Sequence, residues 1–477
     1  MTDTISNNLI QIAGWTTLFI IVVGLLQNLI YLIQLALAAR ELTTNPPVRR
    51  LALLWKRYAD LAPPIALLSP AYNEELTIVD SVRSMLALEY PTFEVVVIND
   101  GSKDNTMQTL KDAFGLQPLA RAFPTDIDHK PIRGIYGAPG IPRLIVVDKE
   151  NGGKADALNA GINVSRSPVF CSMDADSILE SDSLIRAVSP FVDDPAHVIA
   201  VGGTVRLANG CDIEDGRVTG VRMPRNPLAL FQVVEYLRAF LMARLAWSKL
   251  GTLTIISGAF GLFLRSAVIK VGGYSRNTVG EDMELVIKLH KYCRQAKRPY
   301  RIAYVPEPVC WTEAPETLKV LKRQRARWHR GSLETFFKHI DMFMNPRYGR
   351  VGVVGFGNIF FVDVLGPLVV VLGYLLIPVF WFSGLLSLEY LLAFLAVSFT
   401  FGISVSVCSL ALEEVQLKRF PRAHHLLLLT VVAILENFGY RQLNNFWRIL
   451  GTWQFLKGSE SWGDMTRKGF KTTSKKA

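Results

Sequence analysis

The sequence predicts an α/β domain, built on a parallel sheet and enclosed between membrane-spanning helices. Three observations predict it. Between residues 65 and 344 short β-rich runs alternate with helical patterns, the texture of strand–helix–strand units whose sheet is covered on both faces. Flanking this region are apolar stretches at residues 10–39, 351–382 and 390–412, each long enough to cross hydrocarbon about 30 Å thick. The chain as a whole, 477 residues of which 50% are hydrophobic, is too long for one ordinary domain and too apolar for a wholly soluble protein.

Beyond Gln11 at its start, the run 10–39 is broken only by Gln27, Asn28 and Gln34. The run is too long for the apolar core of a signal peptide and no small-residue cleavage site follows, so residues 1–40 read as a retained anchor. Arg40, Arg49, Arg50, Lys56 and Arg57 come next and place the following domain in the cytoplasm. Residues 41–64, with paired prolines near each end, read as a linker. Strands are expected at 65–69, 94–98, 144–147 and 169–173, and helices at 74–88, 104–114 and 154–164. In such a sheet, ligands gather at the carboxyl ends of the strands. Residues 115–143 form a Pro- and Gly-containing excursion with no assigned structure, and 209–227 read as a surface hairpin.

After the 65–344 domain comes a membrane region, 345–457. Its two long spans form a hairpin joined at 383–389, and the basic residues Lys418, Arg419 and Arg422 put both ends of it on the cytoplasmic side. Residues 426–438 are shorter and carry Glu436. They read as a third span or as a helix lying in the interface, and the basic tail 458–477 favours the interface. A multi-pass protein of the inner or plasma membrane follows from this layout.

Net charge is +11, but the basic residues sit beside apolar spans and no RNA- or DNA-binding motif accompanies them. Membrane lipid, not nucleic acid, is the expected partner. Cys171, Cys211, Cys293, Cys310 and Cys408 show neither Cys-x-x-Cys pairs nor zinc spacing, as expected of reduced thiols in a cytosolic environment.

The chemistry-bearing motifs fall at strand ends and helix starts. Pro168-Val169-Phe170 leads into Asp174-Ala175-Asp176, two carboxylates whose hard oxygens suit Mg2+ or Mn2+ and, through the ion, a nucleotide diphosphate. Alone, Asp-x-Asp is ordinarily a solvated turn. Tyr72 and Glu74 follow the first strand and Asp100 the second. They offer an aromatic face for stacking and acceptors for ribose hydroxyls or a base NH, although Asn-Asp-Gly-Ser is equally a turn capped at Asp104. Asn151-Gly152-Gly153-Lys154 opens a helix with amides and a cation suited to phosphate. Glu281-Asp282 starts another helix, where carboxylates are usually caps and where Asp282 could instead serve as a general base. Gln324-Arg325-Ala326-Arg327-Trp328 sits in a basic run that would ordinarily be a solvated or membrane-facing surface. Its Arg could hold a departing diphosphate and its Trp a sugar ring.

The order Asp100, Asp174-Ala-Asp176, Glu281-Asp282, Gln324-x-x-Arg327-Trp328 resembles the D, DxD, (T/G)ED, QxxRW signature of family 2 membrane glycosyltransferases: the cellulose, hyaluronan, chitin and poly-N-acetylglucosamine synthases. The resemblance covers roughly residues 65–344, and four motifs in the right order are far more specific than any one. It implies a cytoplasmic GT-A (Rossmann-like) fold, a UDP-sugar donor, a carbohydrate or lipid-linked acceptor, a divalent metal, and an open place for an accessory export subunit. By resemblance, Tyr72, Glu74 and Asp100 would contact the uridine, Lys154 the diphosphate and Asp174 the nucleotide side. Asp176 would ligate the metal and Asp282 would be the base. Gln324 and Arg327 would hold the diphosphate. Trp328, Ser257, Gly258 and Glu281 would lie on the acceptor side.

The chain departs from the family in two ways. Gly280 stands where many members have Thr, and no C-terminal regulatory domain follows the spans, which removes any argument for second-messenger control. The expected reaction is inverting hexose transfer to a growing, exported polysaccharide. Single-sugar transfer to a lipid acceptor is the alternative within the same chemistry, and an inactive nucleotide-sugar receptor the alternative of another class. A nicotinamide dehydrogenase is excluded because no Gly-x-Gly-x-x-Gly follows a strand.

Overall fold

The apolar runs at 65–68, 95–98 and 144–147 lack the hydrophobic–polar alternation of a half-solvated sheet, and in a computed structural model of the chain they form its centre. The structure describes residues 2–48, 50–214, 217–416 and 423–458. Strands β1 (Ile65–Ala71) and β2 (Phe93–Asp100) pair in parallel, Leu67 opposite Val95. After them come β3 (Gln117–Pro118), β4 (Ile132–Ala138), β5 (Ile141–Lys149) and β6 (Val169–Ser172). Strand β5 lies parallel beside β2, and β6 parallel beside β1 on the other side. Registers of Ala71 with Asn99 and of Asp100 with Lys149 bring these carboxyl ends to one edge.

The unassigned excursion is the sheet's outer border. Strand β4 turns back antiparallel onto β5, and β3 adds a further short strand beyond it. Strand β4 is mostly half-buried, so it carries neither a continuous apolar run nor a clean alternation. Beyond β6, the ten-stranded sheet continues through β7 (Ile178–Leu179), β8 (Val198–Leu207), β11 (Gly261–Leu264) and β12 (Arg301–Thr312). Strands β9 (Asp212–Glu214) and β10 (Arg217–Gly220) form a separate hairpin within 209–227. Strand β11 is antiparallel to both β6 and β8, so the sheet is mixed and not parallel throughout.

Two helices begin later than the sequence pattern suggests, at Ile78–Leu86 and Thr106–Phe114, because the residues ahead of them are committed to loop contacts at the site. The stretch 41–64 is not plain linker. Leu51–Tyr58 is a helix that buries Leu54 and Tyr58, and Tyr58 and Arg57 both reach Asp193.

Among the described residues three helices, Asn7–Thr44, Val351–Phe382 and Leu388–Val415, are long and apolar enough to cross a membrane. Between residues 423 and 456 the chain forms two helices, Ala423–Leu435 and Tyr440–Leu456, bent by 57° at a short break. Ile359–Val364 is wound as a π-helix, which loosens the usual backbone ladder, and the Phe361 carbonyl there accepts a 3.0 Å hydrogen bond from Gln27 Nε2 of the first span. The basic residues 418, 419 and 422 and the tail from 459, on which the orientation of the hairpin and the interfacial reading rested, lie outside the described residues. All five cysteines are free, with Cys171, Cys293 and Cys310 buried.

Candidate active site

At the carboxyl edge of the sheet, two loops lace together. Asn73, in a left-handed conformation, donates its amide to Ser102 Oγ and accepts the Lys103 amide on its side chain. The Glu74 amide donates to Thr106 Oγ1, and Glu75 exchanges hydrogen bonds with Asp104 and the Asn105 amide. Asp104 accepts the Thr106 amide at 3.0 Å, so it steadies the helix start from two residues before it. This lacing leaves Tyr72 43% exposed at the mouth of the cleft.

Asp100, 3% exposed, accepts from Lys149 Nζ (2.7 Å) and from the amides of Gly152 (3.0 Å) and Gly153 (2.7 Å). Its carboxylate therefore organises the glycine turn as well as facing the cleft. Gly101 has φ of +65°, and a Cβ there would lie 2.7 Å from the Asn151 amide nitrogen, so only glycine fits. Lys149 is fully buried and also bonds Asp156 at 2.6 Å. Sequence reading passed over it, although a lysine closing an otherwise apolar strand is an available signal.

Asp174 and Asp176 sit on the turn after β6, which is tied down by Ser81 Oγ donating to the Ala175 carbonyl. Lys154 Nζ meets Asp174 Oδ1 at 2.5 Å and lies 3.9 Å from Glu281. Burial works against the Lys154 ammonium, but Asp174 and Glu281 outweigh it and hold its pKa above that of ordinary lysine. Glu281 is pushed up to about 7 by burial and by Asp282 beside it, with Lys154 pulling the other way. Asp282, partly exposed, accepts the Gly258 amide on one oxygen (3.1 Å) and the Met283 amide on the other (2.8 Å). It is thus held from both sides and aimed into the cleft.

The loop that delivers this carboxylate pair rests on the helix Leu318–Lys338 through a bare backbone contact. A Cβ on Gly331 would lie 2.9 Å from Gly280 Cα, and one on Gly280 about 3.0 Å from the Gly331 backbone. Glu334 fixes the same approach by accepting from Thr278 Oγ1 and the Val279 amide, both at 2.9 Å. Glycine at 280, the chain's departure from the resembled signature, is therefore required by its partner at 331.

That helix is not a solvated surface as its charge suggested. Gln324, Arg325, Ala326, His329 and Arg330 are buried, and Tyr440–Leu456 covers them. Arg325 donates to Glu235 at 2.7 Å and lies over the Trp328 ring at 4.4 Å. Tyr440 donates to the same Glu235 oxygen. Gln324 Oε1 is buried without a partner among the described residues, and Trp328 is 42% exposed.

All the residues singled out in the sequence line one cavity of about 1790 Å3: Tyr72, Glu74, Asp100, Lys154, Asp174, Asp176, Ser257, Gly258, Glu281, Asp282, Gln324, Arg327 and Trp328. The cavity continues between the long apolar helices, past Gln27, Asn28, Asp363, Tyr374, Gln442 and Arg448, none of which falls in a sequence motif. Polar residues inside apolar spans are the signal that marks such positions. Arg448 pairs with Asp363 at 2.6 Å, and Gln442 donates to Tyr374. Among the described residues no three His, Cys, Asp or Glu side chains gather closely enough to cage a metal.

Residues 67–272 match the family profile Glycosyl transferase family 2. Poly-beta-1,6-N-acetyl-D-glucosamine synthase of Staphylococcus aureus is 32% identical over 287 residues, 60% of this chain and 58% of that protein. Its counterpart in Staphylococcus epidermidis is 32% identical over 275 residues, 57% of this chain and 56% of that one. The chain thus spans less than two thirds of the length of these curated relatives. Among solved structures, a mannosyltransferase from Pyrobaculum calidifontis in complex with GDP-Man and Mn2+ is similar in fold. Its TM-score is 0.54 at 18% identity, covering 95% of this chain and 100% of that one.

Proposed function

The chain carries a glycosyl transferase family 2 domain, and from that premise we propose that it moves a hexose, with inversion, from a UDP-sugar onto a growing polysaccharide and passes the product outward between its own membrane helices. The observation that carries this reading is the single cavity. It joins the acidic and basic motif residues at the sheet edge to a polar lining within the apolar helices. A polysaccharide is a polyol, and such a lining supplies it with hydrogen-bond partners where lipid would not.

Asp282 acts as the general base. Its two backbone donors hold the carboxylate against the cleft, where it takes the proton of the acceptor hydroxyl as that oxygen attacks the anomeric carbon. One displacement with one base and no carboxylate nucleophile inverts the centre. Tyr72 supplies a face for the uracil ring, and Asp100 shapes the turn whose Lys154 faces the diphosphate. Arg327 and Gln324 hold the departing diphosphate, and Trp328, with Ser257, Gly258 and Glu281, lines the acceptor approach. Asp174 and Asp176 fit a hard divalent cation, Mg2+ or Mn2+. Such ions are commonly held by one or two carboxylates with substrate phosphates and water completing the shell, and among the described residues no larger protein cage gathers. When bound, the ion supplies positive charge against the diphosphate oxygens.

We place the domain on the cytoplasmic side of the inner or plasma membrane, where nucleotide sugars are made. Incubating membranes that hold the full chain with a panel of UDP-sugars and Mn2+, and sizing the product, tests the proposal. Polymer in the wild type and none in Asp282→Asn is the expected result. A single sugar added to lipid would replace export with the simpler transfer, and turnover undiminished in Asp282→Asn would remove the base.

A further inference from the structure

The helix Lys154–Val164 makes contacts that the reaction itself does not call for. Lys154, in its first turn, faces the cleft, but Asp156 and Asn159, one turn apart on the same side, turn away from it and grip the loop at 272–276. Asn159 behaves as a neighbouring strand would: its Nδ2 donates to the Tyr274 carbonyl at 2.9 Å and its Oδ1 accepts the Tyr274 amide at 2.8 Å. Asp156, fully buried, accepts from Arg276 at 3.1 Å, from Lys149 at 2.6 Å and from the Lys130 amide. Lys149 in turn holds Asp100. A continuous line of charge therefore runs Asp100, Lys149, Asp156, Arg276, from the end of β2 to the loop that ends at Glu281 and Asp282.

Buried charges are a poor way to stabilise a fold, because desolvation consumes much of what their attraction returns, and their best-attested use is to fix register. Here the register fixed is that of the base-bearing loop against the donor-side strand ends. From below, Lys288 donates to the Gly273 carbonyl and to Ser275 Oγ, so the same loop is gripped on two sides.

We infer that Asp156 and Asn159 are positioning residues, which set Asp282 against the donor by holding the 272–276 loop through Arg276 and Tyr274. The inference rests on the proposed transfer for the role of Asp282, but not for the grip on the loop. Its test uses the full-length protein in lipid nanodiscs, with Asn159→Ala and Arg276→Ala as variants. Arg276 is 37% exposed, so its loss opens no core. Amide hydrogen exchange across residues 272–282 is expected to accelerate about tenfold in both variants, with β1 and β2 unchanged, because only local opening is released. With a UDP-sugar that the wild type transfers, kcat is expected to fall about tenfold while the donor KM stays within about twofold, as for a base moved without loss of donor contacts. Arg276→Lys should recover part of both. Unchanged exchange in both variants overturns the inference, and so does faster exchange with kcat intact. A wild type that transfers no sugar removes the proposed function instead, and the exchange result still decides whether the helix holds the loop.

Discussion

The two halves of the cavity, the proposed donor side and the proposed acceptor side, are built by different means. On the donor side, loops of 72–75, 100–106 and 149–153 bind one another through side chain to backbone hydrogen bonds, so the amides of Asn73, Glu74, Glu75, Gly152 and Gly153 each have a near partner. On the acceptor side, a loop meets a helix at two glycines, and charged residues such as Arg325 and Glu235 pair across long stretches of sequence. Asp100 and Asp282 mark the contrast. The first has three donors and is 3% exposed, whereas the second has two backbone donors and opens to the cleft. A carboxylate that is fully satisfied builds structure, and one that is held but left accessible can accept a proton.

The largest effect should come from testing that contrast directly. Asp282→Asn keeps the shape and the Gly258 contact but cannot take a proton, so kcat should fall by about 10^2 to 10^4 with little change in melting temperature. Lys149→Met should do the reverse. It leaves Asp100 and Asp156 buried without their shared cation, at a cost of about 3–5 kcal/mol in folding stability. Thermal unfolding of the two variants in the same detergent separates a chemical role from a structural one. If Lys149→Met melted with the wild type, the donor half would not depend on its buried charges.

Much of the donor half was legible in the sequence, because its strands are continuous apolar runs and its motifs fall immediately after them. The helix starts near residues 74 and 104 were misjudged because side chains such as Asp104 and Thr106 take up amides in loop contacts that no local pattern records. The border strand β4 was missed because half-burial erases the periodicity of its residues. On the acceptor side the motif residues were legible but their surroundings were not. The basic helix 318–338 reads as surface until Tyr440–Leu456, more than a hundred residues later, is laid over it, and Arg325 finds Glu235 at a sequence separation of 90. Likewise Gln27 and Asn28 were visible as interruptions in an apolar span, but only the fold shows that they face the cavity.

A smaller effect is expected at the glycine contact. Gly331→Ala places a methyl group 2.9 Å from Gly280 Cα, and Gly280→Thr does so from the other side. Overpacking of this kind costs about 1–3 kcal/mol, and here it also tilts the loop that carries Asp282. Each variant should lower kcat more than it lowers donor affinity. An effect on nucleotide binding alone would place the contact in the donor half after all.

The smallest effect is one of pH, and it belongs to Glu281. Burial and the neighbouring Asp282 push this carboxyl up to about 7, from the 4.5 of an ordinary glutamate. Between those values the folded protein holds a proton that the unfolded chain has released, so the native state binds more protons and its stability falls as pH rises through that window. Below about pH 4.5 both forms are protonated and above about 7 both are ionised, so the slope vanishes at each end. Glu281→Gln removes the titrating group but keeps a side chain of the same size. Melting temperatures should therefore fall by a few degrees between pH 5 and pH 7.5 in the wild type and by less than half of that in the variant, a difference of about 2 kcal/mol at most. Equal slopes would mean that the acceptor side carries no such protonated carboxyl, and that Lys154 outweighs burial at this position.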